Sequence, residues 1–398
     1  MKEMENHLLN IENPQEIFED IRPYLDHEVR PILEQLIVNS EFLGSIARFY
    51  HPKLTNLFRT FSLKLVQLKL RRQVKGVYDV KSMQDVLSGY MDKIIHDTTT
   101  ELTSSGLDNL GDGKNYLFIS NHRDITMDPA FVNYMLYHAG HDTLQIAIGD
   151  NLLRRPFVAD LMRLNKSFIV KRSLQGREKL KHLTILSKYI HQSIKTGQNV
   201  WIAQREGRAK DGVDRTEPAL IKMLTMARRD LQFAESLRQL HIVPVAISYE
   251  FDPCDVMKAE WIYQKEQNSD TSKNEEADVK SIVTGMMGFK GRVHVAFGSE
   301  IFFKSTNADE AASEIDAQIV DNYKLWDTNE LALQRIKTEF DTHQKTGLEP
   351  KLDNPISIDS VNVFEKRLQS VDPKLHKIWL YSYANPILSK LDLGSKKT

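Results

Sequence analysis

FISNHRDITMDPAF, residues 118–131, reads as the end of a strand, a polar loop and the start of a helix. Tyr116 to Ile119 is a short apolar run that follows the Gly/Asn/Asp-rich stretch GLDNLGDGKN, the pattern of a loop entering a buried strand. Asp128 followed by Pro129 marks a helix start, because aspartate can cap free backbone amides and proline suits the first helical position. Strand, loop and helix in that order place Asn121, His122, Arg123, Asp124 and Asp128 at the carboxyl edge of a sheet, where open α/β folds bind ligands.

Working outward, strand-like runs recur at Thr143 to Ile148, Ser167 to Val170, Asn199 to Ala203, Ile242 to Ser248 and Val293 to Phe297. Helical patterns separate most of them, as at Pro129 to Tyr137, Gly176 to Lys195 and Pro218 to Leu240. This alternation predicts an α/β fold with a mixed, largely parallel sheet flanked by helices. Residues 1–100 read as a helical N-terminal region, 101–304 as the α/β domain and 305–398 as a helical C-terminal extension ending in a basic tail. Gln264 to Glu276 is polar and reads as an exposed loop.

The 398 residues are 41% apolar, enough for a substantial core, and 53 basic residues against 54 acidic ones leave no net field to single out nucleic acid. One cysteine, Cys254, excludes an internal disulfide framework and a cysteine-based zinc site, and fits a cytoplasmic setting. MKEMENHLLNIENPQE has neither the basic start nor the apolar run of a signal peptide, and no run of about 18 apolar residues is present to span a bilayer. The chain can take a peripheral place on a membrane but is not expected to span one.

Between Lys53 and Lys75, Leu54, Leu57, Phe58, Phe61, Leu65 and Leu68 recur at helical spacing beside Arg59, Lys64, Lys69, Arg71, Arg72 and Lys75, with no acidic residue among them. Such a helix either packs its stripe on the body or lies on an anionic membrane surface.

A carboxylate that accepts the Nδ1 proton of His122 fixes the imidazole's tautomer and leaves Nε2 to take a proton from a hydroxyl. Asp128 faces back across the loop from the helix entrance, and Asp124 is the alternative carboxylate. The same residues also fit a buried histidine on a capped loop. Cys254 is a poor nucleophile, since Asp252 and Asp255 disfavour its thiolate. No phosphate-cradling GxxxxGK[ST], GxSxG elbow, HExxH or internal repeat is present.

Four ordered blocks, across about residues 106–304, resemble the glycerolipid acyltransferase superfamily that includes glycerol-3-phosphate and lysophosphatidate acyltransferases. SNHRDITMD (120–128) is similar to its NHxxxxD block, NKSFIVKR (165–172) to GxxFIxR, REGRAKDG (205–212) to EGTRS, and IVPVA (242–246) to the apolar-Pro-apolar block. GRVHVAFGSEI (291–301) is similar to the closing strand. The sequence departs from the pattern in three places. Five residues rather than four separate His122 from Asp128; Asn165 and Lys171 stand at the Gly and Arg positions of the second block; Arg208 and Ala209 stand at the Thr and Arg positions of the third.

The resemblance implies an acyltransferase that moves a fatty acyl group from acyl-CoA or acyl-ACP to a glycerol-3-phosphate or lysophosphatidate type acceptor, with His122 as general base and no cofactor or metal. Arg172, Arg205, Glu206, Gly207 and Arg208 are the expected acceptor phosphate-binding residues. Two alternatives carry different chemistry: a lipid-binding or scaffold protein of the same fold, and a metal-dependent hydrolase built on His122, Asp124 and Asp128 with His138 and His141 nearby in sequence.

Overall fold

The computed structural model describes residues 17–50, 52–267, 275–339 and 356–397, so the leader reading of residues 1–16 lies outside the described residues. The chain forms two compact units, one of residues 1–92 with 144–189 and the other of residues 93–143 with 190–398. Residues 305–398, which read as a separate extension, fall in the same unit as residues 190–304.

Among the described residues the second unit carries five strands: β1 (Thr99–Ser105), β2 (Leu117–Ser120), β5 (Val200–Ala203), β6 (Ile242–Tyr249) and β7 (Gly291–Phe297). β2 lies between β5 and β6, parallel to both, with Leu117 opposite Val200 on one side and Ile242 on the other. β7 runs antiparallel to β6 and parallel to β1. The sheet is therefore mixed and mostly parallel, as the alternation of runs predicts.

β2 and β6 are buried along their whole length, which explains why their sequences are continuous apolar runs rather than alternating ones. Pro244 stands inside β6, where a missing N–H would ordinarily break a ladder. Here its carbonyl accepts from Gly298 N at 2.8 Å, on the side where β7 has already ended at the pair Val245–Phe297. The Gly298 carbonyl, which an N–H at 244 would face, accepts from Asn109 Nδ2 at 3.4 Å instead.

Helix Met127–His138 follows β2, and helices Ala308–Asn322, Asp327–Glu339, Ile358–Gln369 and His376–Lys397 lie in the same unit. Phe364, Trp379, Leu380 and Ala384 are fully buried in the core of these last helices, which also takes in Ala259 of helix Asp255–Glu266.

The first unit holds the parallel pair β3 (Gln145–Gly149) and β4 (Ser167–Val170), with Ile146 opposite Ser167. Its helices Asp26–Leu36, Ser40–Tyr50 and Pro156–Leu164 share a core of Val29, Leu33, Phe42, Phe157 and Leu164.

The helical N-terminal region runs to Thr98, and β1 follows it; TTELTSS is polar because the strand is only half-buried. Two expectations are corrected. The basic segment is two helices, Pro52–Leu57 and Arg59–Gln73, interrupted at Phe58. Helices Asp255–Glu266 and Glu275–Met287 take both ends of the expected loop Gln264 to Glu276, whose residues 268–274 lie outside the described residues. The basic C-terminal stretch is helical through Lys397. Among the described residues no helix is long and apolar enough to cross a membrane.

Candidate active site

β2 hands the chain to Asn121, which is fully buried. Its carboxamide behaves like one more peptide of the ladder: Oδ1 accepts from Ile247 N at 2.8 Å and Nδ2 donates to Ile247 O at 3.0 Å. The pairing of β2 with β6 stops at Ser120–Val245, so this side chain extends it by one step and fixes where the backbone leaves the sheet.

His122 is the next residue, its side chain 14% exposed, with the Trp201 ring edge-on at 6.0 Å. Its Nδ1 lies 2.9 Å from Asp128 Oδ2. The same oxygen accepts from the backbone amides of Arg123 at 2.6 Å and Asp124 at 2.9 Å. An oxygen that already accepts two N–H groups is an acceptor toward the imidazole as well, which assigns the proton to Nδ1 and leaves the Nε2 lone pair open.

Asp128 Oδ1 accepts from the Tyr249 hydroxyl at 2.7 Å. Burial, and after it the charges of Asp128 and Asp124, hold that phenol well above its ordinary range, so it keeps the proton that it donates. Asp128 is thus a fully buried carboxylate whose two oxygens receive four donors.

Asp124 has a different task from the one weighed for it. Its Oδ1 accepts from Thr126 N at 2.9 Å and Met127 N at 2.8 Å, so Asp124 secures the amides at the entrance of helix Met127–His138, and Asp128 sits inside the first turn with its side chain folded back to the loop. The N-cap expected at Asp128 is Thr126, two residues earlier. Asp124 Oδ2 is buried and unpartnered, and burial followed by the charge of Asp128 pushes this carboxyl up toward its neutral form.

The turn 205–214 meets this loop directly: Ala209 N donates to His122 O at 2.7 Å. Arg123 crosses over with Nη2 on Asp214 Oδ2 at 2.6 Å and on Gly212 O at 3.0 Å. Gly207 adopts a left-handed conformation, φ 77°, at the bend of the turn. Arg208 is half-buried; its Nη2 reaches Ser281 Oγ at 3.3 Å, while its Nη1 is buried without a hydrogen-bond partner. Arg205 is half-buried on the same turn, Glu206 is exposed, and Lys210 lies over the Trp261 ring at 3.8 Å.

Arg172 belongs to the first unit, where its backbone N–H donates to Asp150 Oδ1 at 3.0 Å and its guanidinium crowds Gly149. His122, Asp128, Arg205, Glu206, Gly207 and Arg208 all belong to the second unit.

Cys254 is fully buried, its thiol pushed up to about 12 by burial first and Asp252 second, with its Sγ–H on Ser281 O. Burial, more than the flanking charges, keeps it from acting as a nucleophile. Among the described residues no group of three or more His, Cys, Asp or Glu side chains could hold a metal ion, and the His138 ring stacks on Tyr134 at 4.1 Å.

Two residues of this constellation carry no local signal. Tyr249 closes an ordinary apolar strand, and Asp214 lies in an unremarkable loop; only the pairing of β6 beside β2 and the return of the turn bring them to the histidine loop.

Comparison with known proteins bears on the same segment. Residues 101–248 match the family model described as Acyltransferase. The glycerol-3-phosphate acyltransferase of Alteromonas mediterranea is 27% identical over 189 residues, 48% of this chain and 22% of that protein. The glycerol-3-phosphate acyltransferase of Aeromonas hydrophila is 25% identical over 252 residues, 58% of this chain and 30% of that protein. The match thus spans less than a third of the length of these curated relatives. The crystal structure of the 1-acyl-sn-glycerophosphate acyltransferase of Thermotoga maritima aligns with a TM-score of 0.36 at 13% identity, covering 73% of this chain and 94% of that one. Residues 101–248, which hold both the histidine loop and the basic turn, thus match an acyltransferase family and are similar to the glycerolipid acyltransferase superfamily.

Proposed function

We propose that the chain transfers a fatty acyl group from an acyl-CoA or acyl-ACP thioester to a hydroxyl of a glycerol-3-phosphate or lysophosphatidate type acceptor, a step of phospholipid synthesis. The observation that carries this reading is the His122 Nδ1–Asp128 Oδ2 hydrogen bond of 2.9 Å on an oxygen already held by two backbone amides. His122 Nε2 takes the acceptor hydroxyl proton as the oxygen attacks the thioester carbonyl. The tetrahedral intermediate collapses by breaking the C–S bond, and the imidazolium returns the proton to the departing thiolate. Base catalysis of this kind contributes on the order of 10²–10⁴-fold, and orientation of the acceptor must supply much of the rest.

That orientation falls to the basic turn. The unpartnered Nη1 of Arg208 is a buried N–H donor with no acceptor, which a phosphate oxygen would satisfy. Arg205 adds charge on the same turn, and Gly207 lets the backbone bend there. Similarity to two glycerol-3-phosphate acyltransferases favours glycerol-3-phosphate as acceptor.

The test uses purified full-length chain with a long-chain acyl-CoA and glycerol-3-phosphate, or lysophosphatidate, following free thiol and the lipid product by mass spectrometry. Product formation that His122→Ala abolishes in a folded protein supports the proposal. No thioester consumption with any pairing of these donors and acceptors would favour the scaffold alternative.

A further inference from the structure

Helix Glu275–Met287 of the second unit meets the site at two points one helical turn apart. Ser281 and Gly285 stand on the same face of this helix, and both are buried. Ser281 Oγ accepts from Arg208 Nη2 at 3.3 Å. A Cβ on Gly285 would come within 2.0 Å of Asp124 Oδ2, so the helix backbone lies directly against the histidine loop. One helix thus touches both the basic turn and the loop of His122.

Its seat is fixed by further bonds. The Cys254 thiol donates to Ser281 O. Lys290, fully buried beyond the helix end, donates from Nζ to Met286 O at 3.2 Å, to Gly288 O at 2.9 Å and to Thr98 Oγ1 at 2.9 Å, which ties the last turn to the residue before β1. An ammonium with three acceptors has its full donor capacity used, so this anchor is firm.

Neither small residue serves the helix itself. Glycine in a helix interior costs about 1 kcal/mol relative to alanine, and serine is also a weaker helix former. What Gly285 allows is the close approach to Asp124, and what Ser281 supplies is an oxygen for Arg208. An arginine loses rotamer freedom when it is held, and a ligand that finds it already held does not bear that cost. With Nη2 on Ser281, the buried and unpartnered Nη1 of Arg208 is the arm presented to an anion.

We infer that helix Glu275–Met287 sets the spacing between the two halves of the acceptor site, with Ser281 a positioning residue that holds the Arg208 guanidinium for the acceptor phosphate and Gly285 seating the same helix on the histidine loop. This role rests on the phosphate site of the proposed function.

Calorimetric titration of glycerol-3-phosphate into the full chain, without acyl donor, compares the parent with Ser281→Ala, Arg208→Ala and the double variant. A hydrogen bond to a charged group is lost in Ser281→Ala, so binding should weaken about tenfold. Its circular dichroism and thermal midpoint should stay parental, because alanine keeps the helix and the carbonyl that Cys254 uses. Arg208→Ala should weaken binding at least as much, and the double variant no further than Arg208→Ala alone, since the serine acts through the arginine. In turnover, Ser281→Ala should raise the KM for glycerol-3-phosphate about tenfold while kcat and the KM for acyl-CoA change less than about twofold. Gly285→Ala gains helix propensity but collides with Asp124, and should lower kcat about tenfold or more.

Parental affinity in Ser281→Ala, additive losses in the double variant, or a parental kcat in Gly285→Ala overturns the inference and leaves the proposed reaction standing. A parent chain that does not bind glycerol-3-phosphate overturns it as well. Coupled losses of binding in a chain that consumes no thioester would do the reverse, keeping Ser281 in its role while the proposed reaction falls.

Discussion

Asp128 is the residue on which the site depends, because its oxygens carry His122, two backbone amides and Tyr249 at once. An asparagine there would offer the imidazole an oxygen or an N–H but not a charge, and would leave at least one amide facing a donor. Asp128→Asn is therefore expected to cost about 10²–10⁴-fold in kcat, measured by thiol release. Asp124→Asn keeps the Oδ1 acceptor of the helix cap and changes only the unpartnered Oδ2, so its loss should stay below about tenfold. The opposite ranking would reassign the two carboxylates. Tyr249→Phe removes one donor from a buried carboxylate and concentrates negative charge toward His122. kcat/KM should fall roughly tenfold. An unchanged kcat/KM would make Tyr249 a packing residue only. At this scale His122 and Asp128 were legible because their chemistry and spacing are local. The division of labour between Asp124 and Asp128 was not, since it turns on a single side-chain rotation at the helix entrance.

Among the elements, the strands legible in the sequence were those that form apolar runs, buried throughout in β2 and β6 and in part in β3, β4, β5 and β7. β1 is the exception that shows why: TTELTSS pairs at the sheet edge with β7, and its burial alternates weakly. What holds β1 includes a polar contact between strands, in which His294 of β7 bonds Thr103 Oγ1 at 2.8 Å through Nδ1 and Ser105 Oγ at 2.9 Å through Nε2. Burial first and Lys324 second push this imidazole down to about 4. A histidine depressed in the folded chain, against its usual value near 6.5, contributes stability above pH 6.5 that is lost as pH falls toward 4, because the unfolded chain takes up the proton first. The thermal midpoint should fall across that window, and His294→Gln should flatten the fall while lowering the midpoint at neutral pH. Calorimetry at several pH values reads both; an equal slope in the variant would remove His294 as the cause.

For the whole molecule, the helical texture after residue 305 was readable from periodicity, but which elements it would pack against was not, because that is set by contacts far apart in sequence. In the structure the C-terminal helix reaches the basic turn of the site. Asn385 Nδ2 donates to Asp211 O at 2.7 Å, and Gly212, φ 80°, lies so close that a Cβ would come within 2.0 Å of Ser382 O. Arg123 holds the carbonyl of the same glycine from the other side. The turn that offers Arg208 is thus clamped between the histidine loop and helix His376–Lys397, and under the proposed function that helix would help to position the acceptor. Gly212→Ala tests this against a matched control. Gly113 has a similar conformation, φ 68°, but open space around its Cα, so Gly113→Ala meets only the left-handed backbone penalty of about 1–2 kcal/mol. Gly212→Ala meets that penalty and a backbone collision as well, which can be relieved only by moving the turn or the helix. It should lower the thermal midpoint clearly further than the control and raise the KM for the phosphorylated acceptor more than that for the acyl donor, since the clamp acts on the non-reacting end of the acceptor. Equal effects of the two substitutions on stability and KM would mean that the C-terminal helix does not hold the turn.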